Sequence, residues 1–280
     1  MRAYTLGLYE KAMPSDLTWK EKLETAKAAG YDFVEISIDE TDAKLARLEW
    51  TKEERLDLVK TMYEVGLPIR TMCLSGHRKY PIGSSDPGTC ARGMEIMEKA
   101  IQLADDLGIR IIQLAGYDVY YEESTPETVK RFGENLVKCE RMAAKKGIVL
   151  GFETMETEFM NTVEKAMKYV NRINSPYLGV YPDMGNITNA AKTYGTDVLA
   201  DIRTGVGHLD AVHLKETVPG VFREVPFGTG HVDFPAVIAE TWKAGVRRYV
   251  TEFWYTGNPE WKKDLDFAVG MMRPILDAQE

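Results

Sequence analysis

Cysteine and histidine are the scarcest reactive side chains here, with three and four copies among 280 residues. Cys73, Cys90 and Cys139 are odd in number, widely spaced and never arranged as CxxC, which argues against a disulfide framework or a zinc ribbon and fits a reducing cytoplasm. Positive charge is also in deficit. Lys and Arg total 35 against 43 Asp and Glu, a net charge near −8, so the chain lacks the basic footprint that nucleic-acid binding needs. No apolar run approaches the length of a membrane span, and the opening MRAYTLGLYEKAMP reaches charged and turn residues too early for a signal peptide. A cytoplasmic protein with no nucleic-acid or membrane partner is expected.

What is present is ordinary globular composition, 44% hydrophobic and 28% charged, enough to bury a sizeable core. Short apolar runs alternate with longer amphipathic ones. The pattern predicts strands at Thr5–Tyr9, Phe33–Ser37, Ile69–Ser75, Ile111–Gly116, Val149–Thr154, Leu178–Asp183, Leu209–Glu216 and Arg248–Trp254. Helical stretches between them, such as those at 17–29, 52–65, 91–107, 125–146 and 158–173, often end at a glycine: Gly30, Gly66, Gly108, Gly147. Residues 186–194 read as a loop before a helix at 197–204. Eight such units recur about every 35 residues with no linker or composition shift, and this predicts one domain over residues 1–280. Its fold class is α/β, a single (β/α)8 TIM barrel of parallel strands.

A barrel carries its chemistry where the strands end. The fifth to eighth strands finish with Glu153 in LGFET, Asp183 in GVYPD, His213 in DAVHLKE and Glu252 in YVTEFW. Three carboxylates and one imidazole form a metal-ligand set. At this composition four such residues at fixed positions arise by chance at a rate of roughly 5 × 10⁻⁵, or about 0.4% when three terminal positions per strand are allowed. Singly, Asp183 or Glu252 reads as easily as a helix cap or an ion-paired carboxylate. Counting back by two puts Gly151, Tyr181, Ala211 and Val250 on the same inward face. All but Tyr181 are small and leave room for a pocket. Oxygen-rich with one nitrogen, the set suits one divalent ion, zinc or manganese before magnesium or cobalt. Cys73 reads as a buried apolar residue, His208 as structural, and His231 as part of the loop before a helix capped by Asp233.

The segments LGLYEKAMP, FVEISIDETDAKLARLEW, MCLSGHRKYPIGS, IRIIQLAGYDVYY, YPDMGN, GHLDAVHLKETVPGVF and VPFGTGHVDF run in order along nearly the whole chain. In them the chain resembles the L-ribulose-5-phosphate 3-epimerases, also called L-xylulose-5-phosphate 3-epimerases, which have xylose-isomerase-like barrels. The resemblance implies a metal-dependent isomerase that inverts C3 of a ketose phosphate, with a homo-oligomer as the usual state. On that pattern the metal ligands fall on Glu153, Asp183, His213 and Glu252. Glu156 matches a less constrained position and receives no role. The chemistry needs these types, because a proton α to a carbonyl is removable only when charge on the developing enediolate oxygen is neutralised by a cation. Inversion further needs an acid and a base on opposite faces, which nominates Glu153 and Glu252 as the catalytic pair. A phosphate would need fixed donors at the catalytic face, and Lys11, Ser75, His77, Arg78 and Arg223 are the candidates. Two other readings stay open, a 3-epimerase or isomerase of an unphosphorylated ketose and a non-catalytic sugar-binding barrel. A DNA-repair endonuclease of related fold is disfavoured by the few histidines and the acidic charge.

Overall fold

The computed structural model describes residues 2–279. Eight strands, β1 (Thr5–Tyr9), β2 (Phe33–Ile38), β3 (Ile69–Leu74), β4 (Ile111–Ala115), β5 (Val149–Glu153), β6 (Leu178–Val180), β7 (Val212–Leu214) and β8 (Arg248–Thr251), form one sheet. They pair in parallel in the order β6-β5-β4-β3-β2-β1-β8-β7. Single bridges from Val180 to Leu209 and from Asp183 to His213 join β6 to β7 and close the curled sheet into a (β/α)8 barrel. Around it lie α1 (Trp19–Ala28), α2 (Asp42–Leu45), α3 (Lys52–Val65), α4 (Pro87–Leu107), α5 (Pro126–Ala144), α6 (Val163–Ile173), α7 (Met184–Tyr194), α8 (Val198–Thr204), α9 (Phe234–Lys243) and α10 (Trp261–Asp277). Among the described residues no helix is long and apolar enough to cross a membrane.

Local chemistry sets the helix ends. Thr18 and Thr51 make capping boxes with Glu21 and Glu54, Asp86 and Thr125 cap α4 and α5 ahead of a first-turn proline, and Asp233 caps α9 as its sequence suggested. Gly66 and Gly108 stop α3 and α4 in the left-handed conformation.

Strand alternation builds two cores. Val34, Ile36 and Ile38 of β2 face the helices within the large outer core, whereas Phe33 joins Tyr9, Cys73, Ile111, Tyr181, Ala211 and Val250 inside the barrel. Cys73 thus packs as a buried apolar residue.

Two expectations need correcting. Residues 186–194 are helical, most of α7, because Asp183 caps the turn and tertiary bonds override weak propensity. Asn186 donates to the Thr154 carbonyl at 2.7 Å and Asn189 to the Val221 carbonyl at 3.3 Å. The last three strands are also shorter than their apolar runs, since the chain bends into the catalytic loops once cross-strand pairing stops.

Candidate active site

The polar residues at the ends of β5 to β8 converge. Glu153 is the last residue of β5 and lies in register with Ala115. Gly151, two residues earlier, is required there, because a Cβ would lie 2.9 Å from the Tyr181 Cβ. Asp183 follows β6 and caps α7, accepting from the Asn186 amide at 2.6 Å. His213 sits at the centre of β7 opposite Val250. Glu252 follows β8 and donates its amide to the Leu214 carbonyl at 2.9 Å. One ligand atom from each of the four lies within 4.8 Å of the others, and all four residues are buried.

Two further residues bind this cluster together. Lys215 Nζ is 3.1 Å from Asp183 Oδ1 and 3.5 Å from Glu252 Oε2. Glu35, on β2, stands 2.6 Å from His213 Nε2, while His213 Nδ1 faces Glu252 at 3.1 Å and Glu153 at 3.7 Å. Burial works to raise the Glu252 carboxyl, but the charges of Lys215 and His213 outweigh it and hold the group well below its usual range. Burial pushes Asp183 well above its ordinary value, beyond what Lys215 offsets, and raises Glu153 as well. His213 is raised too, since Glu35 and Glu252 overcome the burial that opposes its charge. Asp183 Oδ2 is buried and has no hydrogen-bond partner.

The cluster opens into a cleft of about 510 Å³, mouth included, that Lys11, Ser75, Arg78 and Arg223 also line. Lys11 forms an ion pair with Asp39, and Arg223 pairs with Glu156 at 3.0 Å. Arg78 is held differently: its guanidinium packs over the Tyr120 ring at 5.0 Å, reaches the Tyr117 hydroxyl at 3.4 Å, and leaves Nε buried without a partner. Phe222, Met155 and Trp254 add apolar wall.

His77 departs from expectation. Its ring is buried against α4, where Nε2 lies 3.0 Å from the Gly93 carbonyl, and burial lowers its pKa to about 4. It is therefore a neutral structural side chain that does not line the cleft. His208 is exposed ahead of β7, and His231 Nε2 is 3.0 Å from the Thr217 hydroxyl in the loop before α9.

Sequence reasoning missed Lys215, Glu35 and the place of Glu156 at the cleft wall. Lys215 lies two residues beyond His213, on the same inward face, so the period that located the histidine also marks the lysine. Glu35 is the one acid within the apolar run FVEISI, a signal that a buried charge there must have a partner.

Residues 23–271 match the family model described as xylose isomerase-like TIM barrel. Over 250 residues the chain is 47% identical to L-ribulose-5-phosphate 3-epimerase UlaE of Salmonella paratyphi C (strain RKS4594), covering 89% of this chain and 87% of that protein. The chain belongs to the L-ribulose-5-phosphate 3-epimerase family. It is accordingly an enzyme of the carbohydrate isomerase class. Solved structures of more distant sequence share the barrel: one of L-ribulose 3-epimerase superposes with a TM-score of 0.78 at 19% identity, over 99% of this chain and 95% of that one. One of D-psicose 3-epimerase in the presence of D-fructose gives 0.80 at 17%, over 97% and 99%. Within the L-ribulose-5-phosphate 3-epimerase family, the strand-end cluster and its cleft are the place to look for the reaction.

Proposed function

We propose that the chain interconverts L-xylulose 5-phosphate and L-ribulose 5-phosphate by inverting C3. The observation that carries this reading is the convergence of Glu153, Asp183, His213 and Glu252, with donor atoms within 4.8 Å, at the floor of a cleft whose walls carry Arg78, Lys11 and Arg223. A relative 47% identical over 89% of the chain is named an L-ribulose-5-phosphate 3-epimerase, and inverting C3 of L-ribulose 5-phosphate gives L-xylulose 5-phosphate.

The residues fit one divalent cation. Three oxygens and one nitrogen form a borderline donor set, and the buried, unpartnered Asp183 Oδ2 is a lone pair with no use inside the protein. Glu153, Asp183, His213 and Glu252 would hold the ion, with zinc or manganese the metals proposed. Bound there, such an ion supplies Lewis acidity toward the ketose oxygens, which makes the adjacent C–H proton removable. Glu153 from β5 and Glu252 from β8 flank the substrate, and the proton at C3 leaves to one carboxylate while a proton arrives from the other on the opposite face. Trp254, Phe222 and Met155 exclude bulk water. Arg78 and Ser75 bind the phosphate, with Lys11 and Arg223 at its margin. The reading carries with it a cytoplasmic enzyme.

A free ketose is the second reading, favoured by one feature: Lys11 and Arg223 are already paired with Asp39 and Glu156, so two of three cations arrive neutralised. The test is a metal-replete assay of both phosphorylated ketoses beside the unphosphorylated sugars, repeated with Arg78→Ala. On the phosphate reading kcat/KM for the phosphorylated ketose falls about 10- to 1000-fold, the loss of a charge-assisted hydrogen bond or somewhat more, while slow turnover of the free sugar changes little. Equal losses on both substrates would remove phosphate from the reading.

A further inference from the structure

Glu35 stands at an inward position of β2 and is wholly excluded from solvent. A carboxylate at such depth persists only where its oxygens find partners. Here both do: Oε2 accepts from the Thr71 hydroxyl at 2.7 Å and the Tyr181 hydroxyl at 2.9 Å, and Oε1 faces His213 Nε2 at 2.6 Å. Tyr181 also packs edge-on against the imidazole, with ring centres 5.0 Å apart. The other edge of the ring looks the opposite way, since Nδ1 lies 3.1 Å from Glu252 Oε2 and 3.7 Å from Glu153 Oε1. The Gln113 amide nitrogen sits 3.0 Å from Nδ1 and 3.3 Å from Nε2, near-equal distances that favour neither nitrogen.

Glu35 Oε1 makes the shortest contact of either ring nitrogen with a carboxylate, 2.6 Å against 3.1 and 3.7 Å, which marks Nε2 as the nitrogen that donates its proton. A neutral imidazole protonated there has its lone pair on Nδ1. We infer that Glu35 is a positioning residue that fixes the Nε2 proton of His213 and so presents Nδ1 to the cation cluster. This rests on the metal-dependent reading above and adds to it the nitrogen that coordinates and the residue that selects it. Carboxylates that orient a metal-binding histidine in this way commonly govern affinity by about 10- to 100-fold.

The test loads the full chain with zinc and reads two quantities besides activity. In nitrogen-15 spectra of the histidine side chains of the wild-type zinc protein, the His213 ring proton is expected on Nε2, hydrogen-bonded and slow to exchange. A proton on Nδ1 overturns the inference without any variant. In Glu35→Gln the amide can donate to Nε2 and stabilise the wrong tautomer, so zinc affinity measured by chelator competition is expected to fall about 10- to 100-fold, with kcat at saturating zinc falling less. Glu35→Asp keeps an acceptor on a shorter arm and is expected to recover part of that loss. Wild-type affinity in Glu35→Gln overturns the inference, and if that variant does not fold, the wild-type spectrum and Glu35→Asp decide. A wild-type chain that neither binds a divalent ion nor epimerises defeats the metal reading itself. A wild-type chain that does both, beside an unaffected Glu35→Gln, defeats only the role of Glu35.

Discussion

A carboxylate and its amide occupy nearly the same volume, so Glu153→Gln and Glu252→Gln separate charge from shape. Each is expected to lower epimerisation by at least about 100-fold, the usual range for loss of a proton-transfer group, while the circular dichroism spectrum of the folded protein stays close to wild type. Activity within tenfold of wild type in both variants would sink the two-carboxylate mechanism. At this scale the sequence was legible where chemistry and strand position coincide. Glu153 closes its strand, Asp183 and Glu252 follow theirs, and His213 lies one residue short of the end of β7, all on the side where a barrel makes side chains reachable. His77 shows the opposite case. It follows a strand on the catalytic side, yet its ring turns outward to the Gly93 carbonyl at 3.0 Å, because residues 75–78 wind into a short 3-10 turn and strand alternation no longer fixes direction. Glu35 was hidden for a different reason, as it sits mid-strand where a reader looks for core.

Among elements, β6 and β7 make the weakest join, for their contact rests on isolated bridges. Gly179 lies at this join. A Cβ there would fall 2.2 Å from Asp210 Oδ2 and 2.7 Å from the His208 carbonyl oxygen, and backbone cannot yield as a side-chain tip can. Gly179→Ala is therefore expected to destabilise the fold by about 1–3 kcal/mol, the range for overpacking, read as a lower urea midpoint with unchanged slope. An unchanged midpoint would mean that the join is slack. The helix α7 marks the limit of periodicity as a guide. Its sequence MGNITNAAKTY buries Asn186 and Asn189, residues whose polarity suggests a loop, and only their bonds to Thr154 and to the 220–221 backbone make them core residues.

For the whole molecule, acid stability turns on Glu10, which follows β1 and gathers Lys22 from α1, Lys44 from α2 and Arg47. Burial raises this carboxyl, but Arg47 and Lys44 outweigh it and bring the pKa to about 2. The same crowding acts on Lys44, where burial, with repulsion from Arg47 and Lys22, lowers the pKa to about 8 despite Glu10. A carboxyl with a folded pKa below its unfolded value contributes stability that is present above about pH 4.5 and lost as pH falls toward about 2. Glu10→Gln should thus flatten the loss of stability between those values. It should also destabilise the protein near neutrality by about 3 kcal/mol, because the buried Lys22 and the half-buried Lys44 and Arg47 then lose their common partner. Urea titrations at pH 7 and pH 3 check both, and an unaltered acid slope would assign the acid loss to other groups. The global architecture was the most legible level, since eight repeats with glycine stops leave few alternatives to a barrel. The ion clusters that brace it were not, because their members lie far apart in sequence.

Glu153 and Asp183 stand on one side of the β6–β7 join, on β5 and just after β6, and His213 and Glu252 on the other, on β7 and after β8. An ion held by all four would act as a clasp across the place where the cylinder is sewn most loosely. Ligand affinity and closure of the cylinder then become one cooperative quantity, and a chelator would slow nothing at the far wall while loosening this one. Amide hydrogen exchange should report that asymmetry, with faster exchange at Val180, Asp210 and His213 after chelation and unchanged exchange along β2 and β3. Equal acceleration on both walls would show that the clasp holds nothing the rest of the barrel does not.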